Sequence, residues 1–178
     1  PTPSWGRGIS WALDSRLEDG SWKYPERQRV ANNEAAVQLV RERPDEFVRF
    51  SNELPTTKPR LATIEKYLRN GGLGIGESKF KIECDSKHIE ALAEMAQSFG
   101  VPVLMHFQHE AWNLGMERFD RILKKYPKVN FIGHAQTWWG NIDKNHDQKV
   151  MYPKGKVTPG GLTDRLLSEY PNMFGDHS

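Results

Sequence analysis

Two histidines each stand at the end of a short apolar run. His106 closes the run in "GVPVLMHFQHE", and His134 closes the run in "VNFIGHA". Two carboxylates, Glu77 in "GLGIGESKF" and Asp176 in "NMFGDHS", end two further runs. Imidazole and carboxylate side chains can bind a divalent metal or transfer protons. These four residues therefore predict a metal or acid–base site if the fold brings the ends of the runs together. A lone histidine at a strand end is more often a hydrogen-bonded structural residue.

The apolar runs alternate with helical patterns along the chain. Strands are predicted to start near residues 47, 73, 101 and 129, at intervals of 26 to 28 residues, and a fifth strand near residue 172. Amphipathic segments with stop signals such as Gly100 lie between them. This alternation predicts βα units around a parallel sheet. Because the carboxyl ends of parallel strands share one rim, we expect both imidazoles within roughly 4–8 Å of a common point, with Glu77 facing the same cavity.

Five such units fit either an open doubly wound sheet or part of a barrel. The stretch "NGGLGIGES" places its glycines before and within a strand, whereas a dinucleotide-binding fingerprint opens the helix that follows a strand. Small residues inside a strand suit the tight interior of a barrel. We therefore predict an α/β fold, a partial (β/α)₈ TIM barrel forming one domain over residues 1–178. Residues 1–25 are predicted as an irregular loop, and residues 136–160 as a long loop over the C-terminal rim.

Composition narrows the classes of partner. The chain has 178 residues, of which 25 are basic and 23 acidic, so its formal charge is only +2. Without a basic stripe, a nucleic-acid partner is not expected. No apolar run approaches the length of a membrane span, so no membrane partner is expected either. Cys84 is the single cysteine, which excludes an intrachain disulfide and leaves the cellular compartment open. A homo-oligomer remains compatible with the sequence.

Several segments together resemble a known family. The stretches "ANNEAAVQLVRERPDEFVRFSNELP", "GLGIGESKF", "GVPVLMHFQ", "YPKVNFIGHAQTWW" and "YPNMFGDHS" are similar to the amidohydrolase-related metal-dependent hydrolases, in the branch that includes aminocarboxymuconate-semialdehyde decarboxylase. The resemblance implies a (β/α)₈ barrel that holds a divalent metal, usually zinc. It implies that His106 is a metal ligand. It also implies that His134 polarises or deprotonates the metal-bound water or the substrate.

The sequence departs from the family pattern at two places. The H-x-H pair of the family's first strand is absent, and so is the aspartate of its eighth strand in a G-[ST]-D context. The strands that are visible correspond to the third to seventh. Since a whole barrel needs about 250 residues, we expect this chain to be a central fragment with part of the metal shell.

The remaining site residues admit two interpretations each. Glu77 and Lys79 lie two apart, hence on one face of a strand; Glu77 could bind the metal and Lys79 the substrate, or the two could form an ion pair. Trp138 and Trp139 could wall a substrate pocket or simply pack the long loop. Gln108 is predicted to contact substrate, and Asp176 to hold a catalytic histidine or the substrate.

The predicted function is that of a metal-dependent hydrolase. A metal-activated water would attack a C–O or C–N bond of a small carbonyl substrate, with His134 and Asp176 as catalytic residues. A decarboxylase of the same family is one alternative. Another, from a different class, is a non-catalytic barrel fragment that binds a carbohydrate or a partner through its six tryptophans.

Overall fold

The computed structural model describes residues 8–10, 33–152 and 154–176 of the chain. Its strands are β1 (Gly8–Ser10), β2 (Phe47–Arg49), β3 (Ile75–Ser78), β4 (Val103–His106), β5 (Phe131–His134) and β6 (Met173–Gly175). Its helices are α1 (Asn33–Glu42), α2 (Lys58–Arg69), α3 (Lys87–Phe99), α4 (Asp120–Lys125), α5 (Gln136–Gly140) and α6 (Leu162–Glu169). The chain thus alternates strands with helices, as the periodicity of the sequence predicts.

The strands pair in parallel and in chain order. β3, β4, β5 and β6 form one four-stranded sheet in that order. A parallel bridge between Ser51 and Ile75 brings the end of β2 beside β3, where the Ser51 N–H donates to Gly74 O at 2.8 Å. The prediction of five parallel, sequentially adjacent strands is confirmed. The register aligns His106 of β4 with His134 of β5, so the two histidines end their strands side by side.

The N-terminal segment differs from the prediction at one place. Gly8–Ser10, within the predicted irregular loop 1–25, forms the strand β1, which pairs in parallel with β2. An edge strand such as β2 offers unpaired backbone groups, and a short extended segment satisfies them whatever its side-chain pattern. Residues 1–7 and 11–25 lie outside the described residues.

The helices begin and end at the predicted signals. α3 buries Ile89, Leu92 and Ala96 against the sheet, and Gly100 follows it in the left-handed conformation with φ of 66°. Glycine adopts that conformation without a steric cost, so it ends the helix. The helix predicted for "MERFDRILKKYP" is instead divided into a 3₁₀ turn, Met116–Arg118, and the short helix α4.

The core lies between the sheet and the helices that cover it. All four residues of β4 are buried, as expected for a central parallel strand covered on both faces. Gly76 allows β3 to approach this strand, because a Cβ atom there would lie 2.8 Å from Leu104 Cβ. The remaining core consists of large apolar side chains from the strands and helices, including Ile64, Ile75, Phe107, Phe119, Ile122, Phe131 and Leu166.

Cys84 is part of this core and gives a first testable expectation. Its side chain is fully buried, and burial raises the pKa of the Cys84 thiol. Because the thiolate is the reactive species, we expect the native chain to resist a disulfide reagent such as dithionitrobenzoate. One thiol per chain should react after unfolding in guanidinium chloride, measured by the absorbance of the released thionitrobenzoate. Stoichiometric labelling of the native protein within minutes would contradict this placement.

The long segment 136–160 is not a loop throughout. It begins with α5, and its other described residues have no regular secondary structure. α5 forms there because Trp138 inserts into the core, and the Trp139 N–H donates to Ala135 O at 2.9 Å. Among the described residues, no helix is long and apolar enough to cross a membrane.

Candidate metal centre

Three ligand-type side chains converge at the carboxyl ends of β3, β4 and β5. Glu77, His106 and His134 each present one ligand atom, and these atoms all lie within 4.8 Å of one another. Glu77 Oε1 hydrogen-bonds to His106 Nδ1 and lies 3.3 Å from His134 Nε2. The two imidazole centroids are 5.4 Å apart. The expected convergence of Glu77, His106 and His134 is confirmed, because parallel strands of matching register end at one rim.

The carboxylate of Glu77 contacts both imidazoles. Burial by itself raises the pKa of Glu77, but hydrogen bonds with His106 and His134 and the positive charge of their rings outweigh it, so the pKa falls to about 2. The carboxylate is therefore ionised throughout the physiological range. An ionised, mostly buried carboxylate beside two imidazole nitrogens is a donor set that suits a divalent transition metal.

The ring nitrogen of His134 that faces away from Glu77 contacts Asp176. Its Nδ1 lies 3.0 Å from Asp176 Oδ1, which leaves Nε2 directed at Glu77. Burial lowers the pKa of His134, yet its hydrogen bonds to Glu77 and Asp176 raise it more, so the net shift is upward. The Trp139 ring packs edge-on against the imidazole at 5.0 Å, and its Nε1 donates to Asp176 O at 3.0 Å. β5, α5 and β6 thus jointly fix the orientation of this ring.

His106 has an equivalent arrangement with a different partner. Its Nδ1 faces Glu77, and its Nε2 lies 3.2 Å from Gln108 Oε1. Both histidines therefore direct one nitrogen at Glu77 while the other is bonded to a side-chain oxygen. Such outer contacts fix the tautomer and orientation of metal-ligating histidines.

Two asparagines that were not predicted as site residues donate hydrogen bonds to the backbone around Glu77 and His106. The Asn52 side chain donates to Glu77 O at 2.7 Å. The Asn113 side chain donates to Ser78 O at 2.5 Å and to His106 O at 3.0 Å. Asn52 carries a sequence signal, because it is a polar residue shortly after the apolar run that contains β2. Asn113 lies in a loop after β4 and carries none.

The remaining predicted site residues have different outcomes. Trp138 is 1 % exposed and packs in the core, stacked on Phe107 at 6.3 Å. The prediction that it contacts substrate is therefore wrong. A pocket wall must be accessible, and the missing side chain of Gly133, whose Cβ would lie 2.3 Å from the indole, makes room for Trp138 instead. Trp139 is at the site, as described above.

Lys79 follows the last residue of β3, which is Ser78. The Lys79 side chain is exposed and forms no ion pair with Glu77 in the described structure. The predicted substrate contacts of Lys79 and Gln108 stay predictions.

Two cavities have Gln108 in their walls. One, of about 290 Å³, is formed between the loop after β4 and the segment 136–151, and Gln108, Gln136 and Lys149 contribute to its wall. A second, of about 430 Å³, is lined by Gln108, Asn113 and Arg118 among others. Gln108, the hydrogen-bond partner of His106, lines both cavities, whereas Glu77, His106 and His134 line neither.

Comparison with known proteins supports the fold. A solved structure, the uncharacterized TIM-barrel protein Bb4693 from Bordetella bronchiseptica, is similar to this chain with a TM-score of 0.64 and 15% sequence identity. The match covers 96% of this chain and 53% of the other. This chain therefore spans about half the length of that protein, and its fold is of the TIM-barrel type. No protein-family model matches the chain, and no curated protein matches it significantly.

Proposed function

We propose that this chain supplies strands three to seven of a (β/α)₈ barrel of the amidohydrolase-related type and carries part of a divalent metal centre, with zinc as the expected ion. The proposed activity is hydrolysis of a C–O or C–N bond in a small carbonyl substrate. The observation that supports it is the convergence of Glu77, His106 and His134 on one point at the carboxyl ends of adjacent parallel strands.

The group has one pair of atoms with the spacing of metal ligands, and both histidines have outer contacts. Ligand atoms about 2.0–2.2 Å from a tetrahedral ion lie about 3.3–3.6 Å from one another, and His134 Nε2 lies 3.3 Å from Glu77 Oε1. Gln108 and Asp176 occupy the outer nitrogens of the two histidines. A structural ion pair would need only one histidine, whereas a metal site accounts for both.

In the proposed reaction the residues of the site have different roles. A bound divalent ion supplies Lewis acidity and lowers the pKa of a coordinated water. Glu77 and His106 hold the ion in place. His134 moves a proton at Nε2, while Asp176 accepts the Nδ1–H and keeps the ring in one tautomer. Trp139 packs against His134 and limits the access of water to it.

The experiment that tests the function is metal analysis followed by a substrate panel. Zinc content would be measured after dialysis against Zn²⁺, and hydrolysis followed with ester, lactone and amide substrates and with a carboxylated substrate for decarboxylation. Because the family's H-x-H pair and G-[ST]-D aspartate are absent from this sequence, the panel is run on this chain and on any longer natural chain that contains it. We expect bound zinc, and turnover that a chelator abolishes. Absence of both metal and turnover in the longer chain would overturn the proposal in favour of a binding protein.

A further inference from the structure

We infer that Asn52 and Asn113 are positioning residues that hold Glu77 and His106 in register for the metal. The inference rests on the proposed metal centre and concerns how this chain builds it. Both side chains are buried, with Asn113 only 1 % exposed. Both donate to backbone carbonyls of the residues that carry or adjoin the candidate ligands.

The strand β3 contains backbone carbonyls that its pairing with β4 does not satisfy. Its ladder with β4 is interrupted between Ile75 and Ser78, the segment in which Glu77 lies. Backbone carbonyls buried in an interrupted ladder need other donors. Asn52 supplies one to Glu77 O, and Asn113 supplies one to Ser78 O. Two side-chain amides thus bind consecutive carbonyls, those of Glu77 and Ser78.

Asn113 also links the two ligand-bearing strands directly. Its single Nδ2 donates to Ser78 O at the end of β3 and to His106 O at the end of β4. Its own N–H donates to Phe80 O at 2.9 Å, which fixes the amide above both strands. Its φ of 42° is left-handed, a conformation that asparagine adopts more readily than most residues. The distance between Glu77 and His106 therefore depends on this amide.

Asn52 is in turn held by Asn33 at the start of α1. The Asn33 side chain donates to Asn52 O at 2.6 Å and accepts from Asn52 N at 3.0 Å. This double contact fixes the backbone from which the Asn52 amide reaches Glu77 O. The series Asn33, Asn52, Glu77 thus connects the first helix to the candidate ligand.

The chain offers a matched control for a buried asparagine. Asn172 is 4 % exposed, and its Nδ2 donates to Leu123 O, Tyr126 O and Val129 O at 3.1–3.2 Å. These carbonyls lie before β5, at the opposite end of the strands from the candidate metal centre. Asn172 and Asn113 therefore share chemistry and burial but differ in location.

The test compares Asn113→Asp, Asn52→Asp and Asn172→Asp in the 178-residue chain. Aspartate keeps the shape of asparagine and removes the N–H donor. Zn²⁺ affinity would be measured by calorimetric titration, and the ring signals of His106 by NMR of the metal-free protein. We expect Asn113→Asp and Asn52→Asp to weaken Zn²⁺ binding by about 10–100-fold, the usual effect of removing an outer contact. They should also shift the NMR signal of the His106 ring proton that is hydrogen-bonded to Glu77. Asn172→Asp should change neither.

The outcomes separate this inference from the proposed function. If the wild-type 178-residue chain binds no Zn²⁺ but the Asn113 and Asn52 variants shift the His106 signal and Asn172→Asp does not, positioning is supported and zinc binding by this chain alone is refuted. If Zn²⁺ binds and both Asn113 and Asn52 variants match the wild type in both measurements, positioning is overturned. Equal effects of Asn172→Asp would overturn it as well. Should Asn113→Asp not fold, Asn113→Gly provides the same test, because glycine tolerates the left-handed backbone.

Discussion

His106→Ala is expected to abolish zinc binding and, with it, turnover in the longer chain. The imidazole is buried beside Glu77 and is the ring that the family resemblance assigns to the metal. Loss of an outer contact already costs about 10–100-fold in metal affinity, so loss of a ligand should cost more than about 100-fold. Calorimetric titration with Zn²⁺ measures this directly, and the substrate panel measures turnover. His88→Ala, which removes an imidazole from α3 outside the group, should leave zinc affinity unchanged.

His134→Ala distinguishes a proton-transfer residue from a third ligand. If His134 moves the proton, most of the zinc should stay bound while turnover falls by about 10²–10⁴-fold, the usual contribution of a general acid or base. If its Nε2 binds the ion, zinc affinity should fall as far as in His106→Ala. Full activity in His134→Ala would refute a functional role for this strand end altogether.

Trp138→Ala is expected to produce the largest loss of stability. The indole is fully buried, stacks on Phe107, and lies against the bare backbone of Gly133. Truncating a buried tryptophan leaves a cavity and costs about 3–5 kcal/mol. For a domain whose whole free energy of unfolding is about 5–15 kcal/mol, this would lower the denaturation midpoint strongly. Chemical denaturation followed by circular dichroism measures the change.

Trp139→Ala provides the control for Trp138→Ala. Trp139 is only partly buried: it packs at the margin of the core and also contacts His134 and Asp176. Trp139→Ala should therefore cost about 1 kcal/mol, as an average substitution does, and should instead lower turnover by freeing the His134 ring. Equal stabilities of the two variants would contradict the assignment of Trp138 to the core and Trp139 to the site.

The βα order of the chain was predictable from sequence because it depends on local signals. The apolar runs ending at His106 and His134 and the stop at Gly100 identify strands and a helix without tertiary information. Once the strands are parallel, their carboxyl ends must share a rim, which is why Glu77, His106 and His134 could be expected together. The similarity to a TIM-barrel structure agrees with the predicted fold of parallel strands alternating with helices.

Tertiary structure decided which neighbouring residues belong to the site. Trp138 and Trp139 are adjacent and chemically alike, and only the glycine-lined face of β5 determines that the first enters the core. Lys79 is exposed and forms no ion pair with Glu77 among the described residues, which alternation along a sequence does not reveal. Asn113 reaches the site from a loop, through contacts with residues 35 positions and 7 positions away. Sequence alone therefore determined the strand ends that supply the chemistry, whereas burial and long-range hydrogen bonds determined how those side chains are held.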